Sequence, residues 1–191
     1  MRIVSGTLRG RVLKAPEGLH TRPTTDRVRE ALFSSLYSRL ASFEGVRVLD
    51  AFAGSGALGL EAVSRGAAQA VFYEADSRAA RAIEANIAAC GLSAPRCELH
   101  RCDVLRAPIP AGAPPFGLVF LDPPYATPAP VVLGLPERLA AAGALAPGAL
   151  VVYEHDARDG EEVRAAAEAA GFAATARTYG KTSVSFLEEE R

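Results

Sequence analysis

From Gly45 onward the sequence alternates between short apolar runs and segments with helical spacing, and this alternation constrains the fold more than any other feature. Strands that are separated by helices need crossover connections, which place the strands parallel in one sheet with helices on both faces. The alternation therefore predicts a doubly wound α/β fold around a mostly parallel sheet. A sheet of this kind binds its ligand beyond the carboxyl ends of the strands, where the strand order reverses.

The individual elements can be placed along the chain. The apolar runs predict seven strands, at residues 46–50, 70–74, 97–102, 117–121, 149–153, 172–177 and 183–187. Helical spacing predicts four helices between them, at residues 57–64, 77–89, 131–142 and 160–170. The last two strands flank Tyr179, Gly180 and Lys181, which predicts a C-terminal antiparallel hairpin.

The first 23 residues follow a different pattern. Two short β-like pieces, at 2–4 and 11–13, flank Gly6 and Gly10, which predicts a small β-hairpin. We expect this basic hairpin, residues 1–23, to be an extension of a main domain that spans residues 24–191.

A helix is predicted between this hairpin and the first strand. Pro23 is followed by two threonines, whose side chains can cap the first free amides of a helix. Apolar residues then recur at helical spacing, so we expect one buried stripe. The stripe consists of Val28, Leu32, Phe33, Leu36, Tyr37 and Leu40.

Charge is distributed unevenly along the chain, although the net charge is only −1. Residues 1–29 hold seven basic and two acidic side chains, a local charge of +5, so the rest of the chain carries −6. A basic segment on an acidic body suits a protein that touches a polyanion at one end, because phosphate contacts dominate affinity for nucleic acids. A solvated surface explains the same charges equally well.

A glycine-rich segment joins the first strand of the main domain to the next helix. Gly54, Gly56 and Gly59 form a G-x-G-x-x-G pattern, which allows a tight turn and a close approach of a ligand to the backbone. Asp50 comes directly before it, where a carboxylate can interact with the cationic amino-acid end of S-adenosylmethionine but would repel a pyrophosphate. Glu74 ends the next strand and can accept hydrogen bonds from both ribose hydroxyls, as it would with a nicotinamide dinucleotide also.

Asp103 follows the third predicted strand. Its carboxylate can accept a hydrogen bond from the adenine amino group, and the amide of Val104 can donate one to the adenine ring. A helix cap is the competing interpretation of Asp103.

The segment Asp122, Pro123, Pro124 and Tyr125 follows the fourth predicted strand. Prolines fix the backbone and lack amide donors, so neighbouring carbonyls can accept hydrogen bonds from a substrate. If Asp122 and the Pro123 carbonyl accept the two protons of an exocyclic amino group, its nitrogen can direct a lone pair at a methyl donor. Tyr125 offers a flat face for a base that has left its stack. This segment indicates methyl transfer to an amino nitrogen.

The order of these motifs resembles the class I methyltransferases that act on amino nitrogens. The whole chain further resembles one family among them, the bacterial RsmD-type guanine-N2 methyltransferases of small-subunit ribosomal RNA. The segments that carry the resemblance are Arg2 to Gly6, Arg9 to Arg11, Arg22 to Glu30, Phe52 to Glu61 and Asp122 to Tyr125.

The resemblance implies a Rossmann-like methyltransferase fold and S-adenosyl-L-methionine as the cofactor. It implies cofactor contacts from Asp50, Phe52, Gly54, Gly56, Glu74, Asp103 and Val104, and a catalytic role for residues 122–125. The target would be a guanine in 16S rRNA, on the small ribosomal subunit or its assembly intermediate. The candidate RNA contacts are Arg9, Arg11, Arg22 and Lys181.

Three other functions remain as alternatives. Adenine-N6 methyltransferases of DNA or RNA share the Asp-Pro-Pro-Tyr sequence, and a nicotinamide-dependent oxidoreductase would use the glycine loop. A ribosome-assembly factor could keep the fold without turnover. Methylation at carbon 5 of a pyrimidine would need a nucleophilic cysteine near the fourth strand, and none is present there.

The remaining residue types point to no further chemistry. Cys90, Cys97 and Cys102 have neither disulfide-framework nor zinc spacing, and we expect them to be small core residues. His20, His100 and His155 show no metal-ligand spacing and are expected at the surface or at strand ends. Tyr153 and Glu154 are candidates for lining the substrate entrance, but a structural role is the preferred interpretation of both. No apolar run predicts a membrane span or secretion signal, so we expect a cytoplasmic protein. We also expect a monomer that binds no metal.

Overall fold

The structure, a computed structural model, describes residues 1–16, 26–109, 112–124 and 126–190. The residues group into two compact units, Met1–Asp103 and Val104–Arg191. The predicted helix start at 23–25, the candidate RNA contact Arg22, His20 and the candidate catalytic residue Tyr125 lie outside the described residues. The same is true of the expected boundary between residues 23 and 24, which stays a prediction.

The first unit contains three helices and three strands within its described residues. They are α1 (Asp26–Leu40), β1 (Arg47–Asp50), α2 (Ala57–Ser64), β2 (Gln69–Tyr73), α3 (Ser77–Ala89) and β3 (Cys97–His100). The strands are parallel in the order β3-β2-β1, with Leu49 opposite Val71 and Val71 opposite Glu98. Because β1 and β2 are covered on both faces, all their residues except the first of each strand are buried, and most of the buried ones are apolar.

Besides a short 3-10 helix at Ala157–Asp159, the second unit contains two α-helices and four strands within its described residues. They are β4 (Phe116–Leu121), α4 (Ala129–Ala141), β5 (Leu145–Asp156), α5 (Gly160–Ala169), β6 (Phe172–Tyr179) and β7 (Thr182–Glu189). The strand order is β4-β5-β7-β6, in which β4 and β5 are parallel and β7 is antiparallel to both of its neighbours. Tyr179 pairs with Thr182 across a turn in which Gly180 has a φ of +66°. The predicted seven strands, mixed sheet and C-terminal hairpin are confirmed.

The largest difference from the predicted elements is the length of β5. The sequence predicts a strand over residues 149–153, which directly follow Pro147 and Gly148. The observed strand starts at Leu145 and reaches Asp156, and its register with β4 shifts between Phe116 and Leu118. This irregularity accommodates the proline and glycine, and pairing with β7 extends the strand at its other end.

Two expectations about burial are wrong. Tyr37, expected in the buried stripe of α1, is 58% exposed, and its ring centroid lies 6.5 Å from that of Phe43. Cys102 lies at the surface, since β3 ends two residues earlier. His155 lies near a strand end, as expected, since β5 ends at Asp156, but it is only 3% exposed. Its ring packs edge-on against Tyr153, and its Nε2 forms a hydrogen bond with the Ser185 hydroxyl at 2.9 Å.

The N-terminal segment, residues 1–14, folds back on itself and is part of the first unit. Arg2 and Val12 form an isolated antiparallel bridge, and the Leu13 amide donates to the Met1 carbonyl at 3.0 Å. Ile3 and Leu13 are buried, so the segment contributes apolar side chains to the core. The predicted hairpin is therefore present as a single bridge rather than as two strands.

A buried carboxylate on α2 holds this segment in place. Glu61 is fully buried, and its two carboxylate oxygens accept hydrogen bonds from the backbone amides of Val4 (2.7 Å) and Ser5 (3.0 Å). Arg65 directly follows the last residue of α2 and forms an ion pair with Glu61 at 2.8 Å. A buried charge is tolerated only when it is paired and hydrogen-bonded, and Glu61 satisfies both conditions.

No helix among the described residues is long and apolar enough to cross a membrane.

Replacing Glu61 should lower the free energy of unfolding more than replacing an exposed charged residue does. Glu61→Ala removes the acceptor of two backbone amides and the partner of Arg65, so we expect the free energy of unfolding to fall by about 3–5 kcal/mol. Urea denaturation followed by circular dichroism measures this change. The control is Glu161→Ala, which removes an exposed carboxylate paired with Arg164 and should change stability little. Equal stability of the two variants would contradict the assigned role of Glu61.

Candidate active site

The turn between β1 and α2 is tight and is built on glycine. Only six residues separate Asp50 from Ala57, and Gly54 and Gly56 have φ angles of +55° and +75°. Glycine adopts this left-handed conformation without the strain that a side chain would cause. A Cβ built on Gly54 would meet no atom within 4 Å, so the turn leaves open space beside its backbone. A ligand can approach the peptide groups there.

Gly59, the third glycine of the motif, serves packing instead. A Cβ at this position would lie 2.3 Å from Cε1 of Phe72, a fully buried residue of β2. The absence of a side chain lets α2 pack directly against the ring, as a helix start over a parallel strand requires.

Asp50 is 2% exposed at the end of β1, and its Oδ2 accepts a hydrogen bond from the Gly59 amide at 2.9 Å. Burial, together with the smaller effect of the nearby Glu74 charge and against the lowering effect of this hydrogen bond, raises the pKa of Asp50 to about 7. In this structure the carboxylate fixes the first turn of α2. The predicted contact with the cationic end of a cofactor stays a prediction.

Glu74 follows β2 and bridges the glycine turn and α3. Its Oε2 accepts a hydrogen bond from the Gly54 amide at 2.8 Å, and its Oε1 accepts one from the Asp76 amide at 2.7 Å. An ionised carboxylate has about four acceptor positions, so each oxygen can also accept a hydroxyl proton. The geometry is compatible with the predicted ribose contact.

The other predicted cofactor residues occupy varied positions. Phe52 lies half-buried in the glycine turn, and Asp103 lies half-buried three residues after β3. Val104 has a buried side chain at the start of the second unit.

Sequence reasoning missed Asn86, which lies on α3. The side chain is 1% exposed, and its Nδ2 donates to the carbonyl of Ser55 in the glycine turn at 2.9 Å. The same nitrogen donates to the Lys14 carbonyl at 3.0 Å, and Oδ1 accepts from the Lys14 amide at 2.8 Å. An asparagine within an alanine-rich helix gives no signal that distinguishes it from a solvent-facing residue.

In the second unit, Asp122, Pro123 and Pro124 directly follow β4. Asp122 and Pro124 are exposed, whereas Pro123 is buried. The Thr127 amide donates to the Pro124 carbonyl at 2.9 Å, which closes a turn. Within the described part of the chain, no backbone amide donates to the Pro123 carbonyl.

A pocket of about 260 Å³ lies beside these prolines. Leu121 pairs with Tyr153, so the residues after β4 and the end of β5 border the same space. The wall includes both prolines and the end of β5, and it is acidic. Its carboxylates belong to Glu154, Asp156, Asp159 and Glu162.

Two groups of this pocket have shifted pKa values. Burial, with a smaller contribution from the charges of Asp159 and Glu162, raises the pKa of the Tyr153 hydroxyl to about 12. Hydrogen bonds from Arg158, first from its side chain and then from its backbone amide, lower the pKa of Asp156 to about 2. Tyr153 therefore stays neutral and Asp156 stays ionised at physiological pH. Tyr153 and Glu154 both line this pocket, and their expected place at a substrate entrance stays a prediction.

The candidate RNA contacts Arg9, Arg11 and Lys181 are all exposed. The first two belong to the N-terminal segment, and Lys181 lies in the turn between β6 and β7. Among the described residues, no group of three or more His, Cys, Asp or Glu side chains is arranged to hold a metal ion.

The chain is similar to a family of proteins and to individual members with known sequences. The model of the family described as "Conserved hypothetical protein 95" matches residues 1–188. The "Putative rRNA methyltransferase YlbH" of Bacillus subtilis is 42% identical over 127 residues, which are 65% of this chain and 67% of that protein. The "Ribosomal RNA small subunit methyltransferase D" of Escherichia coli is 41% identical over 125 residues, 65% of this chain and 60% of that protein.

Among solved structures, the "Putative methyltransferase yhhF" from Escherichia coli superposes with a TM-score of 0.78 and 31% identity, over 100% of this chain and 98% of the other. Together with the glycine turn and the mixed sheet, this defines a Rossmann-like class I methyltransferase. The chain belongs to the conserved hypothetical protein 95 family, the family of the RsmD-type methyltransferases.

Gly59→Ala should disturb the glycine turn through packing alone. The added methyl group would overlap the buried Phe72 ring, so we expect a loss of about 1–3 kcal/mol in the free energy of unfolding. Thermal denaturation measures this loss. Gly134→Ala is the control, because a Cβ there would lie in open space within α4 and should stabilise by about 0.5–1 kcal/mol. If both variants were equally stable, α2 would not pack on Phe72 as described.

Proposed function

We propose that this protein transfers a methyl group from S-adenosyl-L-methionine to the exocyclic N2 of a guanine in 16S rRNA. The substrate is the small ribosomal subunit or its assembly intermediate, in the bacterial cytoplasm. The observation that carries the proposal is the exposed Asp122 carboxylate, set before two prolines on the rim of an acidic pocket. The names of the Bacillus and Escherichia coli relatives support ribosomal RNA as the substrate class.

The residues around the glycine turn fit the cofactor. The open space at Gly54 would receive its amino-acid end, and Glu74 keeps acceptor positions for the ribose hydroxyls. Asp50 would contribute its carboxylate, with Phe52, Gly56, Asp103 and Val104 bordering the remainder. The cofactor supplies a methyl group on a positively charged sulfur.

Asp122 and the Pro123 carbonyl would change the geometry of the amino nitrogen by accepting its hydrogen bonds. The nitrogen of an exocyclic amino group is a poor nucleophile because its lone pair is delocalised into the ring. Hydrogen bonds from its two protons to these acceptors favour a tetrahedral nitrogen with an available lone pair. Methyl transfer forms one N–C bond, breaks one S–C bond and releases one proton, which Asp122 can accept and pass to water. Tyr125 would support the base by stacking.

The acidic pocket suits a guanine. The Watson–Crick edge of guanine presents an N1 proton and two N2 protons, and carboxylates are strong acceptors for such donors. Glu154 is half-buried in the pocket wall, where it can accept a base proton. Phosphate groups, in contrast, would be repelled there.

The N-terminal segment provides the complementary charge. Arg9 and Arg11 are exposed, so they can contact phosphates without the cost of leaving a buried partner. Arg22 and Lys181 are further candidate contacts. Phosphate contacts give affinity without base specificity, so the segment would position the RNA and the pocket would select the base.

Asp122→Ala should abolish most turnover while S-adenosylhomocysteine still binds. The proposed role of this carboxylate appears only with the base in place, so we expect a 100- to 1,000-fold lower rate, roughly the effect of removing one electrostatic group from a transition state. Transfer of tritium from labelled cofactor to small subunits that lack the modification measures the rate.

Asp122→Asn is the matched variant, because it keeps one acceptor oxygen and should retain more activity than the alanine variant. Digestion of the labelled RNA identifies the product as N2-methylguanosine or N6-methyladenosine. Labelled adenine, or unchanged turnover in Asp122→Ala, would contradict the proposal.

Reversing two charges in the N-terminal segment should weaken RNA binding. We expect Arg9→Glu/Arg11→Glu to bind 16S rRNA less tightly, and the slope of log affinity against log salt to fall by about 1 for each phosphate that the variant no longer neutralises. Filter binding at several salt concentrations measures both quantities. The charge-matched control is Arg81→Glu/Arg96→Glu, which reverses two exposed arginines elsewhere in the first unit. Equal effects in both double variants would mean that only net charge matters.

A further inference from the structure

One buried side chain connects the glycine turn to the N-terminal segment. Asn86 makes three hydrogen bonds, all to backbone groups: the carbonyl of Ser55, the carbonyl of Lys14 and the amide of Lys14. These groups are separated by 31 and 72 residues in sequence from Asn86. The amide side chain therefore fixes two distant pieces of backbone relative to each other.

Ser55 lies between the two left-handed glycines of the turn, so the position of its carbonyl reports the conformation of the turn. A second contact strengthens the link, because the Ser55 hydroxyl donates to the Met1 sulfur at 3.4 Å. Both ends of the N-terminal segment, Met1 and Lys14, thus meet the same residue, directly or through Asn86.

Other attachments of the segment come from α1 and α2. Arg29 of α1 donates to the Arg2 carbonyl and contacts the Met1 sulfur. Glu61 and Ser64 hold residues 4–8 against the second half of α2, where Ser64 Oγ accepts from the Leu8 amide at 2.9 Å and donates to the Ser5 carbonyl. These contacts explain why the segment is folded at all. Asn86, in contrast, reaches the glycine turn itself, because it donates to the carbonyl of Ser55, which lies between Gly54 and Gly56.

We propose that Asn86 is a positioning residue that couples the glycine turn to the N-terminal segment. This inference rests on the proposed function, because it takes the turn to be the cofactor site and Arg9 and Arg11 to be RNA contacts. Cofactor binding that restricts the turn also restricts Ser55, and through Asn86 it orders Lys14 and the backbone that presents the two arginines. By linkage, ordering the segment on RNA tightens cofactor binding by the same factor.

Asn86→Asp separates this role from simple packing. The variant has nearly the same shape and keeps the acceptor for the Lys14 amide, but it loses both hydrogen bonds that the Asn86 amide donates. We expect the Kd for S-adenosylhomocysteine, measured by calorimetry on the full chain, to rise about tenfold.

Hydrogen exchange of the N-terminal segment is the readout that a merely structural residue would not change. In the wild type, S-adenosylhomocysteine should slow amide exchange in residues 1–14. In Asn86→Asp this slowing should disappear, even at ligand concentrations that saturate the variant.

Two further variants keep the test decisive. Lys14→Pro removes the amide that Asn86 accepts from while leaving the turn unaltered, so it should also lose the ligand-dependent slowing, and it decides the question if Asn86→Asp does not fold. Ser64→Ala removes the two hydrogen bonds of the Ser64 hydroxyl without touching Ser55, while Glu61 still holds Val4 and Ser5. Exchange of the Leu8 amide should therefore be faster, while the Kd stays at the wild-type value.

The outcomes separate the two proposals. A wild-type protein that does not bind S-adenosylhomocysteine would overturn the proposed function and this inference with it. Wild-type binding with an unchanged Kd and unchanged slowing of exchange in Asn86→Asp or Lys14→Pro would overturn the coupling alone. A Ser64→Ala variant that binds the ligand as weakly as Asn86→Asp would also overturn it, since any loosening of the segment would then have the same effect.

Discussion

The first unit depends on one short turn whose backbone is held from three sides. Asp50 fixes the start of α2 through the Gly59 amide, Glu74 accepts from the Gly54 amide, and Asn86 donates to the Ser55 carbonyl. Each of these side chains comes from a different element, so the turn can keep its conformation only if β1, the end of β2 and α3 are in place. A turn that must present bare peptide groups to a ligand cannot use its own side chains for support, and the surrounding elements supply that support instead.

Much of this arrangement could be predicted from the sequence, because it follows from local pattern. Apolar runs mark all seven strands, and the positions of Asp50 and Glu74 at strand ends follow from the strand boundaries. The glycines of the turn are recognisable because only glycine fits positive φ angles so readily. The two prolines after Asp122 mark the end of β4 for a related reason, since proline cannot continue a strand ladder.

The sequence could not predict contacts that depend on distant backbone. Glu61 and Asn86 are polar residues on helices, where the usual expectation is exposure to solvent, and both are buried because the N-terminal segment covers them. His155 is a similar case, since its partner Ser185 lies on a strand that reaches it only through antiparallel pairing of β5 with β7. In each case the partner lies 30 or more residues away, beyond any periodic signal.

The carboxylates that line the acidic pocket beside Pro123 and Pro124 favour some chemical groups over others. A polynucleotide carries its negative charge on the outside of its chain and its proton donors on the edges of its bases. An acidic pocket repels the sugar–phosphate backbone and attracts the base edge that carries the proton donors. Under the proposed function, only a nucleotide whose base has left its stack would satisfy both conditions, so the pocket would select unstacked bases before methyl transfer begins.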